Sequence, residues 1–153
     1  MQTVHKAPDI VADFTTEQTT ATGSAAALRG KRIAAQIAEL LGATGKQSGA
    51  NVFRIKDEFV HIKVAVRSNK RFKVHYSALS KAERVIFVYI GTTGIPQLKV
   101  LPARKVASIG SESVSTCDRG RARAISWGAV SEVGQNLSYD QARWKIITAE
   151  PGR

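Results

Sequence analysis

The chain has 153 residues, of which 43% are hydrophobic and 23% charged, and its formal net charge is +11. A chain of this length buries about two thirds of its unfolded surface, so it needs no disulfide or metal staple, and its composition is not that of a disordered protein. No apolar run approaches the roughly 20 residues of a membrane helix, so we expect no membrane partner.

The first 22 residues are rich in Thr and Ala, which predicts an extended arm ahead of a single domain over residues 23–153. They contain Asp9, Asp13 and Glu17 and lack a charged start followed by an apolar core. We therefore expect neither a secretory signal nor a transit peptide, and a cytoplasmic location. The single Cys117 has no Cys or His at metal-ligand spacing, and we assign it no chemistry.

Positive charge is concentrated in the middle third of the chain. Residues 51–105 carry twelve Lys or Arg and three Asp or Glu, whereas residues 1–50 carry five and four, and residues 106–153 carry six and five. This block favours a polyanionic partner, because each phosphate that a cation neutralises releases condensed counterions. The alternative is a basic surface that only maintains solubility.

Hydrophobic periodicity predicts one long helix near the start of the domain. It would begin at a cap on Ser24, run to about Leu41 and be stopped by Gly42. Its predicted apolar face comprises Ile33, Ile37, Leu40 and Leu41, and its predicted polar face comprises Arg32, Gln36 and Glu39.

Three strand-like runs follow the helix, and their spacing predicts an antiparallel meander. They cover Asn51 to Lys56, Phe59 to Val66, and Arg71 to Tyr76. In the second run, Val60, Ile62, Val64 and Val66 alternate with Phe59, His61, Lys63 and Ala65. In the third, Phe72, Val74 and Tyr76 alternate with Arg71, Lys73 and His75. Each run is therefore expected to place one face in the core and present a basic face on the other side.

The remaining segments complete an α+β fold. RVIFVYI at 84–90 predicts a strand buried on both faces in the middle of the sheet, and QLKVLP at 97–102 predicts the next strand. The segment from Ser108 to Gly120 is predicted to be a loop, followed by a basic cluster, RGRAR, at 119–123. SYDQARWKII at 138–147 predicts a closing helix capped by Ser138. We expect a central mixed sheet of four to five strands with an N-terminal and a C-terminal helix.

From about Gly30 to Trp144 this order resembles the PD-(D/E)xK, or restriction-endonuclease-like, nucleases. Small members of that family have a helix of pattern G-E-x-x-A-A-x-x-L-x-x-x-G, an Asp on a strand, E-x-K on the next strand, a buried strand, and a strand ending in a Leu-Pro-Ala-like phrase. The matching segments here are GKRIAAQIAELLG, NVFRIK, FVHIKVAV, RVIFVYI and LKVLPARKV. YDQARW at 139–144 is similar to a Tyr-x-x-Ala-Trp closure.

The resemblance implies three carboxylates that would hold Mg²⁺ beside the scissile phosphate. The matching positions carry Lys31, Asn51 and His61, and only the Lys of E-x-K is kept, as Lys63. An ammonium, an amide and an imidazole do not neutralise a hard cation as carboxylates do. We therefore expect no metal, no cofactor and no catalytic residue.

The leading hypothesis is a nucleic-acid-binding protein on an inactivated nuclease fold. DNA is favoured over RNA by the resemblance alone, because the two share backbone charge. The predicted contacts are with phosphate, which gives affinity without base specificity. They comprise Lys31, His61, Lys63, Arg67, Lys70, Arg71, Lys73 and His75.

Two other functions stay open at this point. A divergent endonuclease would use Mg²⁺ with Lys63, His61, Asn51 and Glu58, although Glu58 and its neighbour Asp57 are expected to form a hairpin turn. His61 and His75 could bind a softer metal, but two imidazoles make an incomplete zinc site. The third hypothesis is a subunit of a homo-oligomer or larger assembly, held together by the N-terminal arm.

Overall fold

The computed structural model describes residues 20–46, 51–67, 70–115 and 120–149, which form a mixed α+β fold. Residues 1–19, and with them most of the predicted arm, lie outside this part of the chain. The helices are α1 (Thr20–Leu40), α2 (Tyr76–Leu79), α3 (Ala103–Val106), α4 (Trp127–Val133) and α5 (Gln141–Ala149). The strands are β1 (Gly45–Lys46), β2 (Val52–Ile55), β3 (Glu58–Val66), β4 (Arg71–His75), β5 (Arg84–Ile90), β6 (Pro96–Pro102), β7 (Ser111–Ser115), β8 (Gly120–Ser126) and β9 (Gln135–Asn136).

The central sheet is mixed and has the strand order β1-β2-β3-β5-β6-β9. Strands β3 and β5 are parallel, and every other neighbouring pair is antiparallel. The predicted fold class is confirmed. The sheet has six strands because the two-residue strands β1 and β9 extend the edges of four longer ones.

Strand β5 lies in the middle of this sheet, as predicted. Its residues 85–88 are all buried, and it pairs with β3 on one side and β6 on the other. Alternate residues of β5 enter different hydrophobic clusters: Ile86 and Val88 lie in the cluster that contains α1, whereas Val85 and Phe87 lie in the cluster that contains β4. A strand enclosed on both faces has to be apolar throughout, which explains its unbroken sequence pattern.

Helices α1 and α5 cover one face of the central sheet, which we call the helical face. Ile33 and Ile37 of α1 and Trp144 of α5 pack there against Ile62 of β3. Asp140 caps α5 by accepting a hydrogen bond from the backbone N–H of Arg143 at 3.1 Å. The predicted Ser138 cap is wrong, since Ser138 lies before the cap and α5 begins at Gln141.

Helix α1 ends where predicted and starts earlier than predicted. Gly42 adopts a φ of +84° just after the helix, a conformation that costs glycine little. The helix begins at Thr20, so Ser24 lies inside it and is not its cap, and residues 20–22 are helical instead of extended. Gln36 is buried and not on a polar face, because α1 contacts both β3 and α5 and so encloses a wide arc of its surface.

A second, three-stranded sheet with the order β4-β8-β7 covers the other face of the central sheet, which we call the sheet face. The predicted meander is therefore correct for β2 and β3, which form an antiparallel hairpin, and wrong for β4, which pairs with β8. Strand β4 cannot join β3, because β5 occupies that edge of β3 over its full length. The predicted loop from Ser108 to Gly120 is also wrong, since it contains β7.

The two ends of the central sheet differ in how the chain turns. At the end we call the hairpin end, Lys56 and Asp57 connect β2 to β3 with φ values of 51° and 67°. Two consecutive positive φ values are those of a type I′ hairpin turn. At the other end, the corner end, β3 and β5 finish at Val66 and Ile90, and Arg67 with a φ of 51° directs the chain out of the sheet towards β4.

Candidate nucleic-acid interface

The hairpin register places Asn51 close to His61. Val52 pairs with His61 across β2 and β3, and Asn51 directly precedes Val52. The carbonyl oxygen of Asn51 accepts the backbone N–H of Ile62 at 2.9 Å. It also lies 3.0 Å from Nδ1 of His61.

His61 is neutral at physiological pH. Its side chain lies on the sheet face and is 6% exposed. The pKa of His61 is lowered to about 4, chiefly by burial and then by the charge of Lys63; the bond to Asn51 raises it, and His75 lowers it least. A carbonyl oxygen can only accept, so Nδ1 of His61 donates to Asn51 and Nε2 carries the lone pair.

The electrostatic influences on His61 come from Lys63 and His75. Lys63 lies two residues further along β3 on the same face and is half-buried. His75 was predicted on a strand adjacent to β3. It approaches His61 from the second sheet instead. A neutral imidazole therefore lies beside an ammonium on this face of β3.

Lys31 and Glu58 are not part of this group. Lys31 is exposed on α1, which covers the helical face, so the sheet separates it from His61. Glu58 pairs with Ile55 on the helical face, and its carboxylate accepts a hydrogen bond from Nε of Arg84 at 2.7 Å. Asp57 occupies the turn, as predicted, with its carboxylate 3.5 Å from Arg54.

A second group of cations lies at the corner end, against aromatic side chains. The ammonium of Lys70 is 5.6 Å from the centre of the Tyr89 ring. The Tyr89 hydroxyl donates to the carbonyl oxygen of Arg67 at 2.6 Å. The backbone N–H of Trp127 donates to the carbonyl oxygen of Lys70 at 2.7 Å. These bonds fix the corner, and Arg71 is exposed directly after it.

Strand β4 links the two groups. Phe72 and Val74 are buried, whereas Arg71 and Lys73 are exposed on the alternate positions, as predicted. His75 ends the strand near His61. The predicted contacts thus divide into a His61 group (His61, Lys63 and His75), a corner group (Arg67, Lys70 and Arg71), Lys73 between them, and Lys31 on the opposite side.

Sequence reasoning did not identify the aromatic part of this surface. Tyr89 lies in a run that is otherwise buried, and Trp127 follows Ser126, which caps α4. In the sequence, aromatic residues by themselves indicate a hydrophobic core. Only the structure shows that Tyr89 and Trp127 lie next to Lys70 at the surface. The basic cluster at 119–123 has a structural role in part, because the guanidinium of Arg123 donates to the carbonyl oxygens of Ile109 and Gly110.

No group of three or more His, Cys, Asp or Glu among the described residues is arranged to hold a metal ion. Of the described helices, none is long and apolar enough to cross a membrane.

A comparison of the chain with protein-family models, with curated proteins and with solved structures finds no match.

Proposed function

We propose that this protein binds nucleic acid, DNA by preference, by contacting the phosphate backbone through the basic surface of the corner and β4, next to the half-buried Lys63 of β3. The supporting observation is the composition and course of one segment. Residues 59–82 contain six Lys or Arg and no Asp or Glu. The same segment forms the corner and β4, so its exposed cations Lys70, Arg71 and Lys73 lie together on one side of the molecule.

The resemblance to PD-(D/E)xK nucleases supports DNA and an inactive site. The order α1, β2, β3, β5, β6 follows the order of elements in the family pattern. At the position of the family's strand carboxylate, His61 is buried, neutral and next to Lys63. An imidazole and an ammonium do not attract a divalent cation as carboxylates do, so we expect the cations of the corner and β4 to hold a phosphate without cleaving it. A cytoplasmic location is part of this proposal.

Fluorescence anisotropy with a labelled duplex of about 20 base pairs tests the proposal, because log Kd depends on log salt with a slope of about 0.9 per phosphate contact. The triple variant Lys70→Ala, Arg71→Ala, Lys73→Ala should lower that slope by about 2 to 3. A control that removes the same charge elsewhere, Arg104→Ala, Lys105→Ala, Lys145→Ala, should leave it nearly unchanged; these three residues are also exposed. Equal losses in the two variants, or binding insensitive to salt, would refute the proposal. An RNA duplex of equal length that bound more tightly would overturn the preference for DNA.

One observation favours the divergent endonuclease as a second candidate. The Nε2 lone pair of neutral His61 can act as a general base near Lys63. Incubation with duplex, branched and single-stranded DNA in Mg²⁺ or Mn²⁺ tests it, with Lys63→Ala and His61→Gln as controls. Our proposal expects no cleavage; cleavage that disappears in both variants would replace it with the enzyme.

A further inference from the structure

Four aromatic rings form a continuous series from the core to the corner end, which we call the aromatic ladder. Phe87 and Phe72 are buried, with ring centres 4.9 Å apart. Phe72 is followed by Trp127 at 6.3 Å, and Trp127 by Tyr89 at 5.4 Å. Trp127 and Tyr89 are partly exposed. The ladder therefore begins in the core between the two sheets and ends at the surface.

The exposed end of the ladder is held rigidly. The Trp127 ring contacts those of Phe72 and Tyr89 at tilts of 53° and 30°, and its backbone N–H donates to the carbonyl oxygen of Lys70. The bond from the Tyr89 hydroxyl to Arg67 fixes the neighbouring ring. An aromatic surface that is already fixed loses little conformational entropy when another ring stacks on it.

Cations surround this end of the ladder. The ammonium of Lys70 lies over Tyr89, and Arg71 is exposed next to it in the chain. Among the described residues, none of the ion pairs involves Arg67, Lys70 or Arg71. Aromatic rings beside cations are the combination with which proteins bind single strands, because bases stack on the rings while the cations contact the phosphates.

We infer that the corner end binds single-stranded or unpaired nucleic acid, with a base stacked on Trp127 and the flanking phosphates held by Arg67, Lys70 and Arg71. This inference rests on the proposed function and adds the class of substrate. In a duplex the faces of interior bases are covered by their neighbours, so Trp127 can stack on a base only at an unpaired position or a strand end. The surface therefore discriminates by the accessibility of bases and not by their sequence.

Binding of three labelled ligands tests the inference: a deoxythymidine oligonucleotide of about 12 nucleotides, an abasic strand with the same number of phosphates, and a duplex of the same length. The abasic strand is the matched control, because it keeps the charge and removes the bases. We expect the oligonucleotide to bind at least about fivefold more tightly than the abasic strand. Trp127→Leu should remove this difference, whereas Trp127→Phe, which keeps a ring, should retain part of it.

Tryptophan fluorescence provides an independent readout. The chain has two tryptophans, and Trp144 is 1% exposed in the helical-face core. Quenching by the oligonucleotide should therefore come from Trp127 and be absent with the abasic strand. The signal of Trp144 in Trp127→Leu, together with circular dichroism, shows whether that variant is folded; if it is not, the comparison of wild type with Trp127→Phe decides.

The outcomes separate the two proposals. Salt-dependent binding that is equal for the oligonucleotide and the abasic strand would overturn the stacking role and leave the proposed function intact. Tighter binding of the duplex than of either single strand would do the same. Absence of salt-dependent binding to all three ligands would overturn both.

Discussion

The hairpin end and the corner end of the central sheet use their positive charges differently. At the hairpin end Arg84 binds the carboxylate of Glu58 at 2.7 Å, and Arg54 lies 3.5 Å from Asp57. At the corner end the cation Lys70 lies over the ring of Tyr89. A cation beside a carboxylate is partly neutralised, whereas one beside an aromatic ring keeps its net charge and can still attract an anion. Net charge alone does not locate a binding surface; what lies next to each cation does.

Charge reversal at the two ends of the sheet should produce the largest difference in DNA affinity between them. Lys70→Glu with Arg71→Glu should weaken DNA binding by about a hundredfold, or about 2.7 kcal/mol, since it replaces attraction to phosphate with repulsion. Lys81→Glu with Arg104→Glu changes the total charge equally and lies at the hairpin end, and it should weaken binding less than about threefold. Anisotropy titrations at one salt concentration measure both. Similar losses would show that only total charge matters.

Acid should destabilise the fold through the buried imidazole of His61. The folded pKa of His61 is about 4, below its ordinary value of 6.5, so the unfolded state binds the proton more tightly. Stability is therefore unaffected well above pH 6.5 and falls as the pH drops towards 4, with a loss of about 2 kcal/mol at about pH 5. Urea unfolding at about pH 7 and pH 5 measures this loss.

The matched variant for that experiment is His61→Gln, whose side-chain amide can still donate to the carbonyl of Asn51. It should be less sensitive to pH than the wild type by about the same 2 kcal/mol, while other titrating groups act equally in both. If His61→Gln lost as much stability between the two pH values as the wild type, His61 would be protonated in the folded state at the lower pH.

The hairpin turn offers a change that should stabilise the fold without altering the corner end. Lys56→Asn with Asp57→Gly introduces the residues that type I′ turns prefer and changes the net charge by zero. Relief of the positive φ values should raise the free energy of unfolding by about 0.5 to 1 kcal/mol, with DNA affinity unchanged. Thermal melts and anisotropy measure the two quantities. A loss of stability would indicate that Lys56 or Asp57 makes a contact stronger than the turn strain.

The smallest effect is expected for the ion pair at the hairpin end. The side chains of Arg84 and Glu58 are 49% and 38% exposed, so water screens their attraction. Arg84→Gln should therefore lower stability by about 0.5 kcal/mol or less, as measured by urea unfolding in low salt. A loss that persisted in high salt would show that Arg84 acts through packing instead of charge.

Local patterns in the sequence identified which side chains share a face of each strand. The prediction of a core face and a basic face is correct for β4 and wrong for β3, where His61 and Ala65 are buried because the second sheet covers their face. The alternation in β3 and β4, the position of β5 and the end of α1 at Gly42 all follow from periodicity and from the φ preference of glycine. Periodicity relates a side chain to its own backbone, so it needs no knowledge of the rest of the chain. The predicted helix starts were wrong, because Asp140 and not Ser138 caps α5, and α1 begins at Thr20 and not after Ser24.

Which residues meet across the chain was decided only in three dimensions. Because β5 occupies the free edge of β3, β4 leaves the central sheet, and His75 approaches His61 from the second sheet. Lys31 belongs to α1, which covers the helical face, so the sheet separates it from Lys63. Several distant segments can form backbone hydrogen bonds with the same strand edge. The pattern within one segment does not show which of them does so. The sequence by itself thus determined that the middle of the chain is basic and which way its side chains point. The tertiary structure placed Lys70 and Arg71 beside the exposed end of the aromatic ladder.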